Sequence, residues 1–323
     1  MTTKQFIQAL EEEFQQQQYG QSPVELYEPI RYLMSLGGKR LRPLMTLMST
    51  ALFTDEWQKA IKPATAVEVF HNFTLMHDDI MDKAPLRRGK PTVHAKWNDN
   101  TAILSGDVML VQAYELMLFV EDKNLKKALQ RFNRTAAEVC EGQQFDMNFE
   151  TRENVTEDEY IEMIRLKTSV LLGFALELGG IIGGASDKTC QTLYDLGINI
   201  GLGFQLKDDL LDVYGDPAKF GKQVGEDIIS NKKTYMLIEA LGQATGETKT
   251  QLEYWLSLKT FDPAEKVNAV RGIYDKLEIR KMAEAKINDY FQKAFELLDS
   301  LKVEAERKAE LRAFANILID REV

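Results

Sequence analysis

Val67-Glu68-Val69-Phe70-His71-Asn72-Phe73-Thr74-Leu75-Met76-His77-Asp78-Asp79-Ile80-Met81-Asp82 is the stretch whose reading decides the fold. Val67, Phe70, Phe73 and Leu75 recur at helical spacing, and the run ends in Asp-Asp-x-x-Asp. Aspartate is a poor helix-interior residue and is almost never buried unpaired, so this ending demands a compensating positive charge. In a helix Asp78 and Asp82 are i and i+4 on one face, while Asp79 is turned about 100° away. The pattern returns at Gln205-Leu206-Lys207-Asp208-Asp209-Leu210-Leu211-Asp212, where Asp208 and Asp212 share a face and Asp209 is offset. A divalent cation is the simplest counter-charge. Mg²⁺ in particular is held by one or two carboxylates plus substrate phosphate oxygens, which suits two sparse pairs better than a full protein cage.

Working outward, helical spacing recurs at Phe6, Leu10 and Phe14, at Met109, Ala113, Leu116 and Val120, and at Ile161, Ile164, Leu171 and Phe174. Strand-like alternation is nearly absent. Thr156 with Glu159, and Asp262-Pro263-Ala264-Glu265, mark helix starts. These signals predict an all-α chain of about a dozen helices, with long ones over 60–82, 124–149, 157–184 and 187–214, against a usual length of about 11 or 12 residues. Breaks fall at Gly37-Gly38, Lys83 to Thr92, Thr151 to Val155 and Gly215 to Asn231, none with linker composition. The expectation is one domain over 1–323, a bundle of long helices around a deep central cavity that both aspartate motifs face.

The 323 residues carry 40 Lys+Arg against 50 Asp+Glu, a net charge of −10 that argues against a general nucleic-acid binder. Cys140 and Cys190 stand alone without metal-ligand spacing and read as reduced core thiols of a cytoplasmic protein. The N-terminus lacks a signal-peptide apolar region. The most apolar run, Ser169 to Ala185, is broken by Glu177 and five glycines and falls short of the roughly 20 residues a spanning helix needs. It reads as a buried helix, leaving no transmembrane segment.

Basic residues complete the picture. After the first motif, Lys83 to Thr92 brings Arg87 and Arg88 beside the carboxylates, where guanidinium forks match phosphate oxygens. Gly37-Gly38-Lys39-Arg40-Leu41-Arg42-Pro43 forms a second cluster at a helix break and reads as a separate phosphate seat, with Lys39 and Arg42 one turn apart if helical. It lacks the spacing of a Walker loop. Lys167-Thr168, Lys222 and Lys232-Lys233-Thr234 supply further cations, although a single lysine is more often solvated surface. All three histidines, His71, His77 and His94, lie around the first motif, and His71 shares a face with Asp78 two turns on. No zinc-binding pattern is present.

Together these motifs resemble the trans-isoprenyl diphosphate synthases of the polyprenyl synthetase family, from Gly37 to about Thr234 and in the family's order. The resemblance implies an all-α isoprenoid synthase fold, a homodimer, and condensation of isopentenyl diphosphate with dimethylallyl, geranyl or farnesyl diphosphate. It assigns Asp78, Asp82 and Asp208 to Mg²⁺, three ions in all, with Asp79, Asp209 and Asp212 supporting. Arg87, Lys167, Thr168, Gln205, Lys222 and Lys232 would surround the allylic diphosphate; Lys39, Arg42, His71 and Arg88 would hold isopentenyl diphosphate. The catalytic set is then Asp78, Asp82, Arg87, Lys167, Asp208 and Lys232. Lys83 to Thr92 and Gly215 to Asn231 would close to exclude water, which would trap a carbocation. Phe73, with Thr74 beside it and Phe70 a turn below, would stop the growing hydrocarbon, and this pattern favours a C20 product over C15. A class I terpene cyclase would replace the second motif by a different one, and a non-catalytic partner subunit would show eroded ligands; neither is seen.

Overall fold

The helix signals become helices close to where they are expected. The computed structural model describes residues 2–215 and 225–320. In order come α1 (Thr3–Gln16), α2 (Val24–Ser35), α3 (Leu41–Ala51), a 3₁₀ turn at Trp57–Ala60 and α4 (Ile61–Met81). A hairpin of two-residue strands, β1 (Leu86–Arg87) and β2 (Lys90–Pro91), leads to α5 (Val93–Lys96), α6 (Asp99–Met117) and α7 (Asp122–Thr151). α8 (Glu157–Ile164) runs through a π turn at Arg165–Ser169 into α9 (Val170–Gly183), and α10 (Asp187–Tyr214) carries the second aspartate motif. Helices at Glu226–Ile229, Tyr235–Gln243, Gly246–Ser257, Pro263–Lys276, Ile279–Ser300 and Ala305–Ile319 follow.

Local chemistry explains the boundaries. Thr156 and Glu159 form a reciprocal capping box at the start of α8, each satisfying a backbone N–H that would otherwise lack a partner. Asp262 accepts from the Glu265 N–H at 2.9 Å with Pro263 in the first turn, where its missing N–H costs nothing.

The chain divides into two units. The first comprises Met1–Ala136, Leu171–Gly197 and Leu298–Arg312. There α4 packs along α6, α3 lies on α4, and α2 lies on α6. Its core includes a run of aromatic rings in which Phe132 sits 5.1 Å from Phe70, 4.9 Å from Tyr114 and 5.6 Å from Phe174 between centroids. Glu177, the acidic residue inside the apolar run, is 4% exposed and is matched by the Arg131 guanidinium at 2.7 Å, so its burial is compensated. The second unit comprises Ala137–Val170, Ile198–Leu297 and Ala313–Val323. It holds the π turn, the second aspartate motif and the helices from Glu226 to Leu297.

Among the described residues, Glu157–Gly183 alone is long and apolar enough to cross a membrane, and 83% of its most apolar window is buried inside the protein. The expectation of a buried helix there holds. The two cysteines part company: Cys190 is buried, and burial pushes its thiol up, whereas Cys140 is exposed on α7 and is no core thiol.

Candidate active site

In the first unit the aspartate motif occupies the last turn of α4. Asp78 lies within the helix and Asp82 is its C-cap, one turn on. Asp79 points elsewhere, as the helical period requires. It is 2% exposed and takes both arms of the Arg87 fork, Nε to Oδ2 at 2.8 Å and a terminal nitrogen to Oδ1 at 2.7 Å. The hairpin exists in part to deliver this guanidinium, and it is tied back by the Thr92 hydroxyl donating to the Ala84 carbonyl at 2.7 Å. Removing one partner of a buried pair strands the other charge, so Arg87→Leu is expected to cost about 3 kcal/mol in denaturant unfolding. A loss below about 1 kcal/mol would mean that Asp79 finds another counter-charge.

The same unit assembles the basic seat. Gly37 and Gly38 have φ of 74° and 143°, and a Cβ on Gly38 would stand 2.8 Å from the Arg88 guanidinium, so only glycine lets that side chain lie across the turn. Arg88 donates to the Gly37 carbonyl. Arg42, in the first turn of α3, lies 3.2 Å from His71 Nε2. Arginine only donates, so Nε2 is the acceptor and His71 is neutral with its proton on Nδ1. Burial first, then Arg42 and the other guanidiniums around it, holds the His71 pKa well below the ordinary histidine value. Arg42 Nε is buried without a hydrogen-bond partner, and burial lowers this guanidinium to about 10, still charged at neutral pH. An orphaned, buried, charged donor on His71, which the Arg88 guanidinium also acts on, is chemistry that would suit an anion.

Lys39 precedes α3, so it and Arg42 do not share a helical turn, and Lys39 is exposed. Arg40 between them serves the fold. It pairs with the 2%-exposed Glu68 at 2.6 Å, donates to the Met34 carbonyl and lies over the Phe14 ring. His77 meets the Phe73 ring edge-on and the Ile103 carbonyl at 3.1 Å, a packing role, and His94 sits apart on α5.

The second unit carries its own polar cluster. The π turn at Arg165–Ser169 inserts Lys167 and Thr168 into an otherwise continuous helix, a distortion common where a helix carries function. α7 fits against it because residue 142 is glycine; a Cβ there would lie 2.2 Å from the Lys167 backbone nitrogen. Lys167 reaches Asp146 of α7 at 2.6 Å, and Lys232 stands 4.0 Å from the same carboxylate. Thr168 donates to Gln205 at 3.1 Å, and Gln205 donates to Asp209 at 3.1 Å. Tyr160 also donates to Asp209. Asp209 is thus the counterpart of Asp79, a buried carboxylate gripped by protein donors. Asp212 accepts from the Asp227 N–H at 3.0 Å. Burial, and then the neighbouring Asp227 carboxylate, holds both Asp209 and Asp212 above the usual carboxylate range.

Such a carboxylate cluster fits a cation, which would relieve the burden that raises these groups. Among the described residues no three or more His, Cys, Asp or Glu side chains converge as a complete metal cage. Lys222 lies outside the described residues, as does most of the first half of the Gly215 to Asn231 loop.

The expected chain-stop residues form a column on α4. Phe73 is half-buried with its ring 5.6 Å from fully buried Phe70 and 4.8 Å from His77, while Thr74 turns its hydroxyl to the His71 carbonyl. Asp146, Asp227 and Tyr160 were not anticipated. The Glu226-Asp227 pair six residues ahead of Lys232-Lys233 was a legible signal for one of them.

A family model for polyprenyl synthetase matches residues 23–274, most of the chain. The chain belongs to the polyprenyl synthetase family. It is 44% identical to the geranylgeranyl diphosphate synthase of Methanosarcina mazei over 220 residues, 68% of each protein. With the short chain isoprenyl diphosphate synthase of Methanothermobacter thermautotrophicus it shares 36% over 302 residues, 93% of this chain and 92% of that one. A crystal structure of a geranylgeranyl pyrophosphate synthase superposes with a TM-score of 0.95 at 44% identity, each chain covered in full. That agreement places this polyprenyl synthetase in the all-α isoprenoid synthase fold.

Proposed function

We propose that this chain is a Mg²⁺-dependent trans-prenyltransferase that condenses isopentenyl diphosphate with dimethylallyl, geranyl or farnesyl diphosphate, with geranylgeranyl diphosphate (C20) as its main product and farnesyl diphosphate (C15) next. The observation that carries the reading is the seat in the first unit, where Arg88 lies across Gly37-Gly38 and buried Arg42 Nε lacks an acceptor beside neutral His71. Lys39, Arg42, His71 and Arg88 hold isopentenyl diphosphate there and orient its double bond. Asp78, Asp82 and Asp208 hold the metal ions, three in number, with Asp79, Asp209 and Asp212 in support. When bound, Mg²⁺ supplies positive charge to the leaving diphosphate oxygens. Lys167 and Lys232 donate to the same oxygens, Thr168, Gln205 and Lys222 help fix that group, and Arg87 uses the nitrogen that Asp79 leaves over. The allylic C–O bond breaks, the isopentenyl double bond attacks the resulting cation, and the proton passes to the released diphosphate.

We read 1–323 as one domain, since the family match crosses both units. The protein works in the cytoplasm as a homodimer; Leu104, Val111 and Leu118, seven residues apart along α6 and its C-cap, form an exposed apolar stripe suited to a second copy. The test is to incubate purified protein with Mg²⁺, isopentenyl diphosphate and each allylic primer and to measure product lengths. Chelation with EDTA is expected to abolish condensation and added Mg²⁺ to restore it. No condensation with any primer would refute the proposal.

A further inference from the structure

Lys266 is the one lysine among the described residues whose side chain is fully buried, with 0% exposure, and no catalytic role has been assigned to it. It lies in the first turn of the Pro263–Lys276 helix. Its ammonium donates to the Ile229 carbonyl at 3.1 Å and to Asn231 Oδ1 at 2.6 Å, and it stands 4.2 Å from the centroid of the Phe261 ring. A buried ammonium is expensive unless every donor is met, so this arrangement has to be specific.

What it grips is the segment that ends in Lys232. Ile229 closes the short Glu226–Ile229 helix, and Asn231 follows in a left-handed conformation with φ of 56°. Asn231 in turn donates to the Leu256 carbonyl at 2.9 Å. At its other end the segment is tied to the second aspartate motif: the Gly225 N–H donates to the Asp212 carbonyl and the Asp227 N–H to the Asp212 carboxylate. The Lys232 N–H donates to the Asp227 carbonyl at 2.9 Å. The turn is therefore pinned at Asp212 on one side and at Lys266 on the other, and Lys232 is the first residue beyond both pins.

We propose that Lys266 is a positioning residue for Lys232, fixing the Ile229–Asn231 turn so that the Lys232 ammonium is presented to the allylic diphosphate. This rests on the reading of Lys232 as a contact of that diphosphate. The carbonyl and amide that Lys266 holds are backbone and turn atoms, so its loss frees the direction of Lys232 without removing any group that touches substrate.

The experiment compares the full-length wild type with Lys266→Met, Lys232→Met and the double variant, measuring kcat and KM for farnesyl diphosphate and for isopentenyl diphosphate. Lys266→Met is expected to raise the farnesyl diphosphate KM about tenfold and to leave the isopentenyl diphosphate KM within about twofold. The double variant is expected to be no worse than Lys232→Met, because a positioning residue has nothing left to position. A fall in kcat with both KM values unchanged, or multiplicative losses in the double variant, would overturn the proposal. If Lys232→Met raises the allylic KM and Lys266→Met does not, the Lys266 assignment alone fails; if Lys232→Met changes neither KM and leaves kcat unchanged, the Lys232 reading falls and takes the proposal with it. Should Lys266→Met fail to fold, Asn231→Gly keeps the left-handed turn while removing the Oδ1 acceptor of Lys266 together with the amide that donates to the Leu256 carbonyl. It is expected to raise the allylic KM about threefold, and an unchanged value would refute the assignment.

Discussion

Asp78→Ala and Asp82→Ala are each expected to lower kcat/KM about 10³-fold in steady-state condensation assays while leaving the protein folded. Asp82 is the sharper case. It caps the C-terminal end of α4, where the helix already carries partial negative charge, so a carboxylate there costs stability, typically about 0.3–1 kcal/mol. Asp82→Ala is accordingly expected to hold or slightly raise the unfolding midpoint as activity collapses, the pattern of a residue retained for chemistry. Asp79 is expected to behave in the opposite way. Its carboxylate is committed to the Arg87 fork, so Asp79→Asn reads first as lost stability, like Arg87→Leu. Activity within about tenfold of wild type for both Asp78→Ala and Asp82→Ala would refute the division of labour within the triplet.

Phe73→Ala is expected to lengthen the product by one or more isoprene units, read by chromatography of the dephosphorylated prenols. Phe73 is five residues before Asp78, on the side of α4 that leads away from the diphosphate end, and its ring is only half-buried. The next obstacle is Phe70, whose ring lies 5.6 Å from that of Phe73 and 5.1 Å from Phe132. Truncating Phe73 thus removes one layer and leaves a second intact, which predicts a bounded gain in length. Phe70→Ala should differ in kind: Phe70 is fully buried, and opening a cavity there costs about 3–5 kcal/mol. A product distribution unchanged by Phe73→Ala would remove Phe73 from any role in stopping the chain.

The helical period was enough to separate Asp78 and Asp82 from Asp79, and it placed α4 and α10 almost to the residue. Periodicity is local, and α-helices are set largely by local pattern. What it could not supply were partners brought together by loops. Arg87 was singled out as a phosphate ligand, yet its first partner is Asp79, because a hairpin of two-residue strands turns it back onto the helix it has just left. Asp146 lies on α7 between Phe145 and Met147 with nothing in its neighbourhood to mark it, and only the π turn, which brings Lys167, and the segment after the Glu226–Ile229 helix, which brings Lys232, give it two lysines. The basic cluster at Gly37 to Pro43 looked uniform, although burial of Glu68 assigns Arg40 to the fold, whereas Arg42 keeps a buried Nε without an acceptor. Tyr160 had no signal at all: a tyrosine at helical spacing reads as core, and its hydroxyl acquires meaning only from Asp209 beside it.

The π turn between α8 and α9 also bears on redesign. A helix idealised for stability would have its one surplus residue deleted there, restoring regular hydrogen bonding. Because the wide turn absorbs that residue, the deletion would leave the flanking helices nearly in phase and would act on the turn itself. Lys167 would swing off Asp146, and Thr168 would lose Gln205. An automated stabilisation of this protein could therefore yield a better helix and a dead catalyst, and the five residues Arg165–Ser169 are the ones to exclude from any such effort.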